Sequence, residues 1–341
     1  MIGAVRPAMA MVVDHPSRVG EVRRRAAIVA EQVGLDRTDR GRVALVVTEV
    51  ASNLAKHTPG GEVVIQGWTD SGDRAVVDIH ALDRGPGMRD VGRCLADGYS
   101  TAGSAGTGLG AISRVADQFA IQSESGVGTV VWARIDPRTA GSRGSSPLEL
   151  GVVGLAVSGE EACGDEWALV SRDGREYLLV VDGLGHGPHA AEAAREAVAA
   201  FRDGPSDEPA GIIAAISEAL RGTRGAAVAV ARLDARHGKV RFAGVGNIVG
   251  ALVARATARS AGMVSLNGTA GHVVPRIQEF DYDWPEGSVV LMHSDGLDRR
   301  WDLARSPGLA SRHPALIAGV LYREHRRERD DATILVVGHR G

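Results

Sequence analysis

The sequence predicts an α+β protein built from two folded units. Three observations carry this: a length of 341 residues, a compositional break near the middle, and helical and strand periodicity on both sides of it. At roughly 150 residues per domain, the length alone favours two domains. Residues 136–149 read DPRTAGSRGSSPLE, rich in Pro, Gly, Ser and Arg, between the apolar runs GTVVWARI and LGVVGLAV. Such a stretch reads as a flexible linker. The expected division is a first unit over 1–136, a linker over 137–149 and a second unit over 150–341, with no internal repeat between the halves.

In the first unit, Pro16 stands where a helix start tolerates it, and Val19, Val22, Ala26 and Val29 recur at helical spacing. A second helix over 38–56 carries the stripe Val43, Val46, Val47, Val50 and Leu54. Strands follow at 62–68 (EVVIQGW) and 74–81 (RAVVDIHA), then a Gly-rich stretch, a helix over 111–118 and two strands ending at Ile135. Helices covering one face of an antiparallel or mixed sheet fit this order. In the second unit, the Ala-rich helices over 189–202 and 211–221 read as covers for a sheet, and a third helix starts near Pro314.

Composition excludes several classes of function. Hydrophobic residues at 44% and charged residues at 24% argue against disorder. With 39 Lys+Arg against 42 Asp+Glu, there is no basic field to drive nucleic-acid binding. The run REHRRER at 323–329 reads as a solvated helix end whose cations oppose the helix dipole. No stretch reaches the ~18 apolar residues of a membrane span, and Arg6, Pro7 and Asp14 break up the apolar start, which shows no cleavage site. Cys94 and Cys163 form neither a CxxC pair nor a disulfide framework. The expectation is a cytoplasmic protein with no nucleic-acid and no membrane partner.

Three features of the first unit converge on a nucleotide. Glu49 and Asn53, four apart on one helix, project from the same face. DRGPGM at 83–88 places the Asp83 carboxylate in a turn where Gly85 and Gly87 permit close backbone approach. GTGLG at 106–110 precedes a helix, and glycines at a helix start suit an anion. Each alone is a weak signal, since solvated Glu/Asn pairs and glycine turns are common; the ordered set is far more specific. It resembles the N box and two glycine boxes of the GHKL (Bergerat-fold) ATPase/kinase superfamily. Residues 10–135 look most like the RsbT-type serine/threonine kinases.

The resemblance implies an α/β sandwich that binds ATP with Mg²⁺. Asn53 would hold the ion, Lys56 would meet a phosphate, and Asp83 would accept from the adenine amino group, with Thr129 supporting that end. Gly85, Gly87, Gly106, Gly108, Leu109 and Gly110 would line the nucleotide, and residues 97–105 would form the lid. Glu49 would take the proton from an incoming hydroxyl as the γ-phosphate departs. The alternative is a non-catalytic, ATP-dependent binding or sensor module that regulates the second unit. His57 follows the N box directly, but no dimerisation helix with a phospho-accepting His is present.

The second unit places carboxylates at strand ends: Asp165 in CGDEWALV, Asp182 in YLLVVDGLGHGP, Asp295 in SVVLMHSDGL, and Asp330 with Asp331 before ATILVVG. A carboxylate there is costly to desolvate unless paired or metal-bound. Singly, each reads as a turn or cap residue; together they suggest hard divalent cations with oxygen ligands. GDE, DGLGHG, SDGL and DDAT, in that order, look like the SpoIIE/RsbX branch of PPM-type serine/threonine phosphatases. This likeness implies an α-β-β-α sandwich holding two Mn²⁺ or Mg²⁺. Asp182 would bridge them, Gly183 would lend its carbonyl, and Asp165, Asp295 and Asp330 would complete the set, with Asp331 second choice. Paired cations activate water and neutralise the phosphate oxygens. His186, His189 and His293 read as surface or supporting residues, since imidazole suits zinc better. Both likenesses together imply a bifunctional bacterial switch acting on STAS-type partners in a stress or sigma-factor pathway, with a sigma-factor regulator as a further candidate partner.

Overall fold

The computed structural model describes residues 7–69, 75–95, 108–137, 148–160, 162–204, 206–274 and 276–340. Its chain divides into two compact units, residues 2–144 and 145–341.

In the first unit, β1 (Ala8–Val13), α1 (Arg18–Gln32) and α2 (Arg37–His57) precede β2 (Gly61–Thr69) and β3 (Ala75–Asp83). After them come α3 (Val91–Leu95), α4 (Gly108–Val115), β4 (Gln118–Glu124) and β5 (Gly128–Ile135). Asp36 caps α2 by accepting from Asp39 N at 2.8 Å, which satisfies one orphan donor of the first turn. The α2 stripe is buried throughout and packs with Val22, Ala26 and Val29 of α1 on alternate residues of the sheet, such as Val63, Ile65, Val77 and Ile79. The sheet order is β1-β2-β3-β5-β4, antiparallel at every pairing.

On the other sheet face Asp78 is fully buried. Arg134 grips it at 2.7 and 2.8 Å, and the indole N–H groups of Trp132 and Trp68 donate to it at 2.9 and 3.2 Å. Burial alone would raise this carboxyl, but the Arg134 charge and hydrogen bonds outweigh it and hold the group below the usual range. Arg134→Met should destabilise the first unit by about 3–5 kcal/mol, because a buried charge would lose its partner. Urea unfolding followed by Trp fluorescence measures it; an unchanged midpoint would refute the assignment.

The second unit begins with β6 (Leu148–Leu155), β7 (Asp165–Arg172) and β8 (Arg175–Gly183), then α5 (Pro188–Asp203) and α6 (Pro209–Ala219). Strands β9 (Ala226–Asp234), β10 (Lys239–Val245), β11 (Val249–Ala254), β12 (Ser260–Met263), β13 (Glu279–Asp283) and β14 (Ser288–His293) follow. Two short 3₁₀ turns, α7 (Pro314–His325) and β15 (Ala332–His339) end the described fold. The strands form two antiparallel sheets, β13-β10-β9-β8-β7 and β12-β11-β14-β15-β6. Helices α5 and α6 cover the first sheet through Ala194, Ala197, Phe201, Ile212 and Ile216; α7 packs on β6 and β15. The sheets meet where the Phe242 ring of β10 lies against Gly250 of β11.

Several sequence expectations need correction. The helix expected over 111–118 runs instead over Gly108–Val115, so Gly108 and Gly110 lie inside it, and Gln118 opens β4. Strand β1 falls in the apolar start, where Ala and Met at successive positions hide the period-2 signal. Strand β6 starts at Leu148, within the stretch read as linker, because Leu148 pairs with His339. Helix α7 stops at His325, and Arg326 turns away in extended backbone, so residues 327–329 of the basic run lie beyond the helix. The expected lid (97–105), Gly106 and most of the linker fall outside the described residues.

Candidate nucleotide and phosphatase sites

Glu49 and Asn53 sit on the half-buried flank of α2, beside its buried stripe. A β-carbon at Gly108, the first residue of α4, would lie 3.2 Å from Asn53 Oδ1 and 3.3 Å from Glu49 Oε2. The helix pair therefore brings a carboxylate, an amide and the start of a second helix to one point. Lys56, one turn beyond Asn53 on the same flank, is exposed in the last turn of α2. Leu109 packs toward the core, and Gly110 is buried within α4.

At the end of β3, Asp83 Oδ1 accepts from Gly85 N at 2.8 Å and from Thr129 N at 3.2 Å. These bonds fix the carboxyl orientation and close the turn. Gly87 has φ +65°, and any β-carbon there would collide with the Glu124 carbonyl, so only glycine fits this turn. The Thr129 hydroxyl pairs with Ser123 Oγ at 2.9 Å, and Ser123 Oγ accepts from Met88 N at 2.8 Å. Sequence reading missed Ser123. A polar residue on a strand carries no motif signal, and only the β4–β5 pairing opposite Thr129 reveals it.

In the second unit, antiparallel topology explains the carboxylate cluster. Asp165 opens β7 and faces Asp182 near the end of β8; Asp295 follows β14, and Asp330 and Asp331 precede β15. All five thus emerge at one end of the sandwich. Asp165 is buried, and burial together with Asp182 pushes its carboxyl well above the usual range. Burial and the neighbouring Asp295 push Asp182 up to about 8, and burial and Asp295 likewise raise Asp330. Mutual repulsion of buried carboxylates is the electrostatic condition that a divalent cation relieves.

Ligand geometry qualifies this. Among the described residues, no three His, Cys, Asp or Glu side chains already stand at ligand distance around one point. Mg²⁺ commonly keeps several waters and takes only one or two carboxylates, so the all-oxygen donor set still fits such ions. The Gly183 carbonyl lies at the end of β8, next to Asp182, where packing is tight: a β-carbon at Gly183 would strike the Ala190 backbone of α5.

Surrounding groups orient the carboxylates. Ser294 Oγ donates to Asp165 Oδ2 at 2.5 Å and accepts from Thr333 N at 3.0 Å. Asn247 Nδ2 donates to Asp295 Oδ2 at 2.7 Å. His293 is buried; burial lowers it to about 4, so it is neutral. Its Nδ1 donates to the Ser294 carbonyl at 2.7 Å, and its Nε2 accepts from Trp301 Nε1 at 3.0 Å. Of the other histidines, His186 pairs with Glu160 at 3.2 Å on the surface, and His189 lies near Glu192 at 3.7 Å. Ser294 and Asn247 escaped sequence reading, although Ser294 opens the SDGL motif itself, since neither residue type is a ligand by itself.

The two aspartates of the doublet divide their work. Asp331 Oδ1 accepts from Val157 N at 2.7 Å and Oδ2 from Gly164 N at 2.6 Å, binding the ends of β6 and β7 together. Asp330 stays with Asp182 and Asp295. Asp331→Ala should therefore lower stability by about 1–3 kcal/mol for the stranded buried Gly164 amide, with a smaller loss at the half-buried Val157 amide. Asp330→Ala should leave melting nearly unchanged and weaken metal-dependent turnover. Melting curves and kinetics on both variants read this; the reverse pattern would reassign the ligand.

Fold and residues define a class: a kinase-type ATPase unit joined to a metal-dependent phosphatase unit. Residues 12–135 match the model described as "Histidine kinase-like ATPase domain", and residues 172–340 match "Stage II sporulation protein E (SpoIIE)". The chain is 33% identical over 105 residues to the serine/threonine-protein kinase RsbT of Bacillus subtilis (strain 168), covering 31% of this chain and 78% of that protein. It belongs to the RsbT family of serine/threonine kinases, fused here to a SpoIIE-type PPM serine/threonine phosphatase domain. A solved chain described under "The bacterial stressosome: a modular system that has been adapted to control secondary messenger signaling" is 31% identical. It aligns at a TM-score of 0.51 over 56% of this chain and 98% of that one. The PP2C phosphatase domain of SpoIIE from Bacillus subtilis, with a fragment of its regulatory domain, is 16% identical, at a TM-score of 0.48 over 78% and 80% of the two chains. The two domain types imply use of a nucleotide and a divalent metal. Among the described residues, no helix is long and apolar enough to cross a membrane.

Proposed function

We propose that the chain is a two-activity signalling switch. The first unit phosphorylates a serine or threonine on a STAS-type partner, and the second removes phosphate from the same partner or a related one. The observation that carries the reading is that each unit keeps its chemistry-bearing side chains together. Glu49 and Asn53 converge on Gly108, and the strand-end aspartates converge at one end of the sandwich. The RsbT relative supports kinase activity, and the stressosome likeness supports partner switching in a cytoplasmic stress or sigma-factor response.

In the first unit Asn53 would hold Mg²⁺ against the ATP phosphates, and Asp83 would orient the adenine within Gly85, Gly87, Gly106, Gly108, Leu109, Gly110 and Thr129. Lys56 would meet a phosphate. Glu49 receives the proton of the attacking hydroxyl. In the second unit Asp182, with the Gly183 carbonyl, Asp165, Asp295 and Asp330, would hold Mn²⁺ or Mg²⁺. These ions supply Lewis acidity and offset the phosphate charge. Ser294 and Asn247 keep Asp165 and Asp295 aligned.

The test is direct. Incubation with γ-labelled ATP and a purified STAS-domain protein should transfer label to that protein. The label should then be released in a Mn²⁺- or Mg²⁺-dependent step. Binding of ATP and partner without transfer would make the first unit a nucleotide-dependent binding module.

A further inference from the structure

We propose that a groove beside the carboxylate end of the second unit binds an extended, phosphorylated segment of the partner protein. An apolar residue of that segment sits on Leu184, Met263 and Val264, and an acidic residue faces Arg299. The inference rests on the phosphatase reading and states how that site selects its substrate.

The groove has a volume of about 710 Å³, more than a lone phosphoserine side chain needs and within the range of ligand sites. Its walls are the β10–β11 loop, the β11–β12 hairpin, the loop after β12, and Leu184, which directly follows Asp182 and Gly183 at the end of β8. Leu184 and Val264 are 43% and 44% exposed, which leaves apolar surface facing the channel. Arg299 is exposed on the wall, and its Nη2 donates to the Asn247 carbonyl at 2.9 Å.

Asn247 joins the groove to the chemistry. It lines the channel, and its Nδ2 holds Asp295. Its Oδ1 is buried and, among the described residues, accepts no hydrogen bond. A buried acceptor left alone is costly, so the site is built for a donor that arrives with a ligand. A peptide N–H adjoining the phosphoresidue supplies that donor. It also brings flanking side chains for the apolar wall and for Arg299, which a free phosphomonoester lacks.

Gly262 gives a clean probe. It lines the channel, a β-carbon there meets nothing within 4 Å, and its φ lies outside the left-handed region. Gly262→Phe would fill the groove from its wall. The full chain with Mn²⁺ is assayed on p-nitrophenyl phosphate, O-phospho-L-serine, and decapeptides with central phosphoserine and leucine/glutamate, leucine/lysine or alanine flanks. Wild type should prefer the leucine/glutamate peptide to O-phosphoserine at least tenfold in kcat/KM. Gly262→Phe should cut the ratio of peptide to p-nitrophenyl phosphate turnover at least tenfold, and Arg299→Glu should shift preference to the lysine-flanked peptide. Equal use of peptide and O-phosphoserine by wild type would overturn the proposal, as would wild-type ratios in both variants. Should Gly262→Phe fail to fold, the Arg299→Glu preference decides. Wild type inert toward every compound, p-nitrophenyl phosphate included, would instead refute the phosphatase reading.

Discussion

Asp182→Ala is expected to abolish metal-dependent hydrolysis of phosphoserine, lowering kcat by at least about 10³-fold, equivalent to ~4 kcal/mol at 1.4 kcal/mol per decade. The same residue makes stability depend on pH and cation together. Burial and Asp295 raise the Asp182 carboxyl to about 8 in the folded unit, against 3.8 as its ordinary value. Between those values the folded state holds a proton that the unfolded chain has released. Without cation, stability is therefore greatest below about pH 4 as far as this group is concerned, and is lost as pH rises toward 8. A divalent ion competes for the same oxygens, so its affinity should grow with pH across that window. Excess Mn²⁺ at pH 8 should raise the melting temperature of the second unit by roughly 5–10 °C, as saturation near 100 times Kd implies. At pH 5 the increase should be smaller. Asp182→Ala should erase the Mn²⁺ effect while raising the metal-free melting temperature at pH 8, because one of the repelling charges is gone. Retained Mn²⁺-dependent turnover in this variant would sink the ligand assignment.

Glu49→Gln should lower phosphotransfer by about 10²–10⁴-fold, the range for removal of a positioned general base, while ATP affinity stays within a few-fold of wild type. Asn53→Ala should instead weaken Mg²⁺-ATP binding itself. The separation follows from the α2 geometry: both groups reach the start of α4, but only the carboxylate can accept a proton. Isothermal titration with a non-hydrolysable ATP analogue and a transfer assay on the same samples distinguish them. Full transfer by Glu49→Gln would leave the base unassigned. Matching losses of binding in both variants would point to a purely structural role for Glu49.

Much of this was legible in the residues because the chemistry is carried by local words. Glu49 and Asn53 share a helix face by spacing alone, and DRGPGM announces its turn through glycines whose geometry the fold requires, as the Glu124 carbonyl behind Gly87 shows. The strand-end aspartates likewise stand out against apolar runs. What sequence could not convey is pairing across long separations. The different duties of Asp330 and Asp331 depend on two amides, Val157 and Gly164, more than 160 positions away. Ser123 and Ser294 acquire meaning only through their neighbours across a sheet or between sheets. Strand β1 was missed for another reason: its alternation is between two apolar residue types, so period-2 patterning has no contrast.

The position of β15 in its sheet governs when the second unit can exist during synthesis. This strand is interior, flanked by β14 on one side and β6 on the other, so β6 must wait about 180 positions for its neighbour. The RsbT-like unit, whose described strands are complete by Ile135, can assemble while the ribosome is still making the rest. The phosphatase sheet cannot close until residues 332–339 have emerged. Premature termination after Ile135 but before that point would thus release the RsbT-like unit without a completed SpoIIE-type sheet.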